Sequence, residues 1–282
     1  MDENRNSNIS SEHSEELLNI IENFRLMDDT FMSKVFEDKA CAELLLRVIL
    51  NRDDLTVVRV VSQFELKNLQ GRSARLDIYA VDEHGKQYDV EVQRSDDGAA
   101  PRRARYNSSL LDANLLNPGD KFDELPESYI IFITEHDVLK GGKPLYTVNR
   151  TISELNHAIF TDGSHIIYVN GEIRNGTALG ELMQDFFCKD PREMHYKVLS
   201  DRAGYFKKDK EGVDTMCKLM EDYADKRARQ AAEAAAEKAA KERSISIATN
   251  LWNKGERDLQ QIADLTDLPL DEVKKLFEGK TA

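Results

Sequence analysis

Apolar and polar positions follow two different periods along this chain, and the switches between them mark its elements. Over residues 17–50 the apolar positions recur at helical spacing. Leu17, Ile20, Ile21 and Phe24 form one stripe, Phe31, Val35 and Phe36 a second, and Leu44, Leu45, Val48 and Ile49 a third. Asp28 and Asp29 stand where a cap would open the second helix. The period then falls to two. Residues 56–67 are rich in β-branched side chains. Residues 74–82 alternate, with Leu76, Ile78 and Ala80 on one side and Asp77 and Tyr79 on the other. His84 and Gly85 make a turn. Residues 87–93 return as a second alternating strand, with Val90 and Val92 on one face and Asp89, Glu91 and Gln93 on the other.

Pro101 opens a further helix, over about 101–114, whose apolar side is Leu110, Leu111 and Leu115. The continuous apolar run YIIFIT at 129–134 predicts a buried central strand. Gly141-Gly142 is a turn, 145–151 and 165–170 are two further strands, and 178–187 is a helix. Helices and strands in this order predict a mixed α/β sheet flanked by helices.

From residue 213 the character changes. Residues 216–243 are Ala-rich, highly charged and poor in large apolar side chains, with opposite charges spaced to pair: Asp222 with Lys226, Asp225 with Arg229, Glu237 with Lys241. A solvated linker helix over 213–243 is the expectation, and a weak coiled coil its rival. Residues 244–282 regain an apolar pattern in three short helices separated at Gly255 and Pro269, a small helix-turn-helix-like bundle.

Charge alters this picture. The 282 residues hold 39 Lys and Arg against 52 Asp and Glu, a net −13, so the chain has no overall basic footprint for nucleic acid. Residues 258–282 sharpen the point: there Asp258, Asp264, Asp267, Asp271, Glu272 and Glu278 face only Lys274, Lys275 and Lys280. It is expected to make packing or protein contacts rather than read DNA. Residues 1–14 are polar and are expected to form a disordered tail. No apolar run reaches membrane-spanning length, and no apolar signal core opens the chain, so a cytoplasmic protein without a membrane partner is expected. Cys41, Cys188 and Cys217 are far apart and odd in number, as in a reduced protein without a disulfide framework.

The hairpin is the most informative feature. With Leu76/Ile78 and Val90/Val92 on one face, the opposite face gathers Asp77, Glu91 and Gln93 from adjacent strands. Two carboxylates meeting there repel each other, and a divalent cation such as Mg²⁺ would offset that repulsion with carboxylate and carbonyl oxygens. Such a cation also lowers the pKa of water and stabilises charge on a phosphate oxygen. The alternative is an ordinary half-exposed hairpin whose polar residues face solvent.

Several segments carry a more specific signal: FMSKVFED at 31–38, LKNLQGRSARLDIYAVDEHGKQYDVEVQ at 66–93, RRARYNSSLLDANLLNPGDKFDELP at 102–126, YIIFIT at 129–134 and DGSHIIYVNG at 162–171. Together they resemble the PD-(D/E)XK nuclease family transposases, also called recombination-promoting nucleases. The resemblance implies a restriction-endonuclease-like α/β domain over 15–212. It implies that Asp77 and Glu91 bind Mg²⁺ or Mn²⁺ with the Val92 carbonyl, and that DNA is the substrate. Leu76 stands where the signature has Pro. Gln93 stands where it has Lys, as it generally does in this family. A neutral amide can only hydrogen-bond, so more of the water activation falls to the metal.

The helix after the hairpin adds Arg102, Arg103, Arg105, Tyr106 and Asn107. Arg102, Arg103 and Tyr106 are candidates for holding the scissile phosphate, which guanidinium matches in a bidentate way. The alternative is a solvated basic face. Glu43, or with less reason Glu37, is the candidate for an accessory helix carboxylate. Lys67, Arg72, Arg75 and Arg94 add a local basic patch. The resulting expectation is a metal-dependent endodeoxyribonuclease linked to recombination or mobile elements, with a homodimer through the long C-terminal helix as one arrangement that suits double-strand cleavage. The rival is a non-catalytic DNA-associated or regulatory protein on the same fold, with the C-terminal bundle as a protein-contact module.

Overall fold

The computed structural model describes residues 15–68 and 71–278. The tail expected over residues 1–14 lies outside them. The chain divides into two compact units, with the boundary between Lys218 and Leu219.

The first unit opens with helix α1 over residues 15–23, followed by α2 (Asp29–Val35) and α3 (Lys39–Leu50). Of the stripe expected on α1, Ile21 is buried and Ile20 is exposed. Asp38 caps α3 by accepting the N–H groups of Ala40 and Cys41, which satisfies donors that the first helical turn leaves unpaired. Asp28 occupies the N-cap position of α2 but does not cap it. Its carboxylate turns back to the Arg25 N–H at 2.8 Å and across to Arg94 at 3.0 Å.

Strands β1 (Val57–Leu66), β2 (Ala74–Asp82) and β3 (Gln87–Gln93) form an antiparallel meander. The β2–β3 turn places Gly85 at φ +79°, a conformation that costs glycine little because it lacks Cβ. Asp82 steadies the turn by accepting from the N–H groups of His84 and Lys86, each at 2.9 Å. Helix α4 (Pro101–Ala113) then crosses to β4 (Ser128–Thr134), which lies parallel to β3. Strand β5 (Leu145–Val148) and a separate two-stranded ribbon, β6 (Thr151–Ile152) with β7 (Ala158–Ile159), precede β8 (Ser164–Asn170), parallel to β4. The sheet order is β1-β2-β3-β4-β8-β5. The single strand expected at 145–151 is therefore two pieces: pairing with β8 ends at Val148, and Thr151 pairs with Ile159 in the separate ribbon.

Helices α5 (Ala178–Phe187) and α6 (Lys197–Lys208) complete the layer built on α3. Helix α6 has no counterpart among the predicted elements. Its buried Leu199, Ala203 and Phe206 fall at helical spacing but stand among charged residues. One of those charges is itself buried: the Lys207 ammonium donates to the carbonyls of Glu22, Phe24 and Lys189.

Both faces of the β2–β3 hairpin are covered. Ile78, Ala80, Val90 and Val92 are buried, and so are Asp89 and Glu91 on the alternate face; Asp77 is buried where β2 changes face, so that Leu76, expected beside Ile78 and Ala80, packs instead with Tyr79. The cover on that second face is α4, whose Ala104, Leu110 and Leu111 pack with Tyr79, Ile130, Phe132 and Tyr168. The half-exposed hairpin considered from the alternation is thus not what forms.

Helix α7 (Lys210–Asn253) is continuous and crosses the unit boundary. Residues 221–243 are exposed throughout. None of the three ion pairs expected along it closes: Lys238 lies 3.9 Å from Glu242, and Lys241 turns instead to Glu272 at 2.8 Å. On an exposed helix such pairs gain too little to hold two long side chains in one geometry. In the second unit, the end of α7 packs with α8 (Leu259–Thr266) and α9 (Leu270–Phe277) through Ala248, Ile262, Ala263, Leu268 and Val273. Trp252 stacks on Phe277 with ring centroids 4.4 Å apart, and the Arg257 guanidinium sits 4.4 Å from the Trp252 ring. Asp267, at the position where glycine is common, adopts φ +52° between α8 and α9.

Candidate active site

The site is made where β2 and β3 part. Their register runs from Val81↔Gln87 to Ile78↔Val90 and stops. Asp77 and Glu91 are the next residue on each strand. Glu91 shares with Asp89 the face that α4 covers, because side chains two apart along a strand point the same way, while Asp77 sits where β2 changes face, Leu76 packing on the α4 side with Tyr79. Beyond the last paired residues the Val92 N–H has no strand partner. Asp77 Oδ2 accepts it at 3.1 Å. The carboxylate thus replaces a ladder bond and is fixed beside Glu91.

Glu91 is fully buried. Its Oε2 accepts from Arg103 Nη2 and, at 3.2 Å, from Gln93 Nε2. Its Oε1 has no hydrogen-bond partner. Arg103 Nη1 also donates to the Gly98 carbonyl at 2.9 Å and to Gln93 Oε1 at 3.3 Å. The absence of a side chain at Gly98 leaves room for this amide: a Cβ there would stand 2.1 Å from Gln93 Oε1 and push it aside. One turn further along α4, Asn107 Nδ2 donates to Asp89 Oδ2 at 3.2 Å, and Asp89 Oδ1 is buried without a partner. The two contacts match in pitch. Residues two apart on a strand are about 6.6 Å apart, and residues four apart on a helix rise about 6 Å, so Asp89 and Glu91 meet Asn107 and Arg103 in step.

This concentration of buried carboxylate raises every acid in it. Burial pushes Asp77 up to about 6, against the pull of the Val92 N–H. Burial, then the Asp77 charge, pushes Glu91 up to about 8, with Arg103 as the strongest opposing influence. Asp89 is raised well above the ordinary carboxylate range by burial and then by Glu91. A fourth acid belongs to this field. Asp29, in the first turn of α2, is itself raised by burial and adds its charge to both Asp77 and Glu91. Arg75 draws Asp29 and Asp77 down from the exposed end of β2.

The structure therefore brings Asp77, Glu91, Val92, Gln93 and Arg103 together. It does not bring Glu43 to them: Glu43 accepts the Val57 N–H at 2.9 Å and pairs with Arg47, tying α3 to β1. Glu37 is held by Lys34 and Ser62. The helix carboxylate near the site is Asp29, whose only mark in the sequence is its place in the Asp-Asp pair before a helix. Asp89 lies on the same strand face as Glu91, a placement that alternation alone predicts. Arg102 is exposed, and the Tyr106 hydroxyl donates to the Arg72 carbonyl and accepts from Asn68 at 3.1 Å. Arg94 is drawn away to Asp28 and Glu135, while Lys67, Arg72, Arg75 and Arg105 are exposed.

Among the described residues no three His, Cys, Asp or Glu side chains converge closely enough to hold a metal ion as they stand. The donor set nonetheless fits Mg²⁺ or Mn²⁺. Hard oxygen donors, two carboxylates and a backbone carbonyl match an ion that keeps part of its water shell, and the partnerless Glu91 Oε1 is the atom such an ion would satisfy.

A mixed sheet with acidic residues at the parting of its antiparallel pair, and a helix laid over them, is the restriction-endonuclease-like α/β architecture. Residues 32–177 match the family described as PD-(D/E)XK nuclease family transposase. That span is more than half of the chain, and the chain belongs to this family. No curated protein and no solved structure matches it.

Proposed function

We propose that this chain is a metal-dependent endodeoxyribonuclease that hydrolyses DNA phosphodiesters in recombination or at mobile elements. One observation carries the reading. Asp77 and Glu91 are buried side by side from adjacent strands, where their shared charge is unfavourable unless a cation meets it. In this reading Asp77, Glu91 and the Val92 carbonyl hold Mg²⁺ or Mn²⁺. When bound, that ion supplies Lewis-acid charge to the phosphate and lowers the pKa of water.

The chain's own residues do the rest. Gln93, held between Glu91 and Arg103, orients the attacking water through its amide. Arg102, Arg103 and Tyr106 line the approach of the scissile phosphate from α4. Asp29 adds negative charge that strengthens cation binding. The thiols of Cys41 and Cys188 agree with a cytoplasmic setting, and the exposed face of α7 leaves room for a homodimer.

A plasmid-nicking assay tests this. Wild type should nick supercoiled DNA with Mg²⁺ and not with EDTA, and Glu91→Ala should not nick under either condition. A cut that survives in Glu91→Ala would exclude the site.

A second reading has one observation in its favour: Arg103 already pairs with Glu91, with Gln93 in place of a lysine. In it the chain is a non-catalytic DNA-associated or regulatory protein on the same fold, and the terminal bundle is its protein-contact module. Calorimetry separates the two, because only the nuclease needs Mg²⁺ or Mn²⁺ affinity that depends on Asp77 and Glu91.

A further inference from the structure

The Arg103–Glu91 pair is lopsided. The Glu91 side chain is 0% exposed, fixed within the β3 strand and covered, whereas the Arg103 side chain is 39% exposed and enters from the solvent side. Apart from Glu91, its guanidinium is held by the Gly98 carbonyl and the Gln93 amide oxygen, and lies 6.0 Å from the centre of the Phe132 ring; all three are uncharged. It takes one oxygen of Glu91 and leaves the other, buried, with no partner. A cation shared by Asp77 and Glu91 would have to draw on that same carboxylate. It would also set a double positive charge beside the guanidinium, which reverses the attraction that holds Arg103 in place. Outside the site, Arg72, Arg75, Arg102 and Arg105 are exposed, so an arginine that swings outward joins a surface already suited to phosphate.

We propose that Arg103 is an exchangeable partner of Glu91: it pairs with Glu91 in the metal-free protein and leaves it when a divalent cation binds, becoming a ligand for the DNA phosphate. This rests on the metal-dependent reading of the site. The exchange gives that reading an order of events, because Arg103 is released to phosphate only once the carboxylates are occupied. A metal-free site is then kept electrostatically closed and poor at holding DNA. The unusual consequence is that removing Arg103 should move two properties in opposite directions.

The experiment is Mn²⁺ calorimetry on the full chain without DNA, at alkaline pH where protons compete least for the carboxylates. Wild type, Arg103→Gln and Glu91→Gln are compared, each checked for folding by circular dichroism. Removing a charged hydrogen bond that competes for Glu91 should tighten Mn²⁺ binding by about tenfold in Arg103→Gln. The same variant should cleave plasmid DNA more slowly than wild type, and Glu91→Gln should lose Mn²⁺ binding. A merely structural role for Arg103 would weaken both properties together. Should Arg103→Gln fail to fold, the wild-type protein decides the matter by NMR. The Arg103 side-chain Nε–H signal, assigned by its absence from Arg103→Lys, should shift as Mg²⁺ is added. Mn²⁺ binding in folded Arg103→Gln that is unchanged or weaker, or an Arg103 signal unmoved at saturating Mg²⁺, overturns the exchange while leaving the metal site standing. Absence of Mn²⁺ binding in wild type overturns the metal-dependent reading itself.

Discussion

Asp77 accepts the Val92 N–H at 3.1 Å, at the point where the β2–β3 ladder ends. One carboxylate thus has two duties, closing the sheet and carrying charge, and two substitutions separate them. Asn at position 77 keeps an oxygen for the Val92 N–H and removes the charge. Asp77→Asn should fold with a melting temperature at or above wild type and fail to nick DNA. Asp77→Ala should lose nicking as well and also lose about 1–3 kcal/mol of stability, from a buried N–H left unpaired. Thermal melts beside the nicking assay distinguish them, and an active Asp77→Asn would exclude charge at this position from the chemistry.

The raised acids set a pH dependence. Asp77 rises from 3.8 to about 6 and Glu91 from 4.5 to about 8 on folding. The folded state then binds protons that the unfolded chain has released, so stability falls as pH rises through this range. The contribution of these groups is fully present below about pH 4 and lost by the time the pH has passed the Glu91 value. Melting temperatures in EDTA should fall from pH 5 to pH 9, the Asp77→Asn/Glu91→Gln double variant should flatten that fall, and Mg²⁺ should offset it at the alkaline end. A wild-type melting temperature that climbs between pH 6 and pH 8 would contradict the assignment.

Asn107 and Asp89 lock α4 to β3 below the site. Asn107→Ala leaves Asp89 without its donor and should cost about 1–3 kcal/mol by urea denaturation. Asn107→Asp should cost more, because it sets a second carboxylate against the first.

At position 98 the expected effect falls on activity rather than stability. A Cβ on Gly98 meets the flexible end of Gln93, which can move aside cheaply, and in moving it abandons Arg103 and Glu91. Gly98→Ala should therefore melt within a few degrees of wild type and cleave DNA more slowly. Full activity in this variant would show that the Gln93 position is immaterial.

The chain's one tryptophan, Trp252, lies in the terminal bundle against Phe277. Phe277→Ala should destabilise that bundle by about 3–5 kcal/mol. The change should be visible in Trp252 fluorescence during urea unfolding, with the melting of the α/β unit unchanged.

Strands β2 and β3 and helix α5 are legible residue for residue, because alternation, a turn glycine and an amphipathic stripe are local patterns. Helix α6 is not, since its apolar residues are interleaved with charges such as Lys207, whose burial depends on carbonyls from α1, from the segment after it and from the segment after α5. Asp28 and Asp29 look alike in sequence. Only the fold sends the first to Arg25 and Arg94 and the second toward Asp77 and Glu91.

The sequence by itself determined that Asp89, Glu91 and Gln93 share a strand face, because side-chain direction along a regular strand depends only on position parity; the change of face in β2 that sets Asp77 beside them is not written in that alternation. What it could not determine is whether that face meets water. The tertiary structure decided this by laying α4 across it, and with that cover came the raised acids, the Arg103 pairing and the Asn107 lock. The physical reason is that desolvation and charge pairing depend on what lies across the interface, and that is supplied by residues distant along the chain.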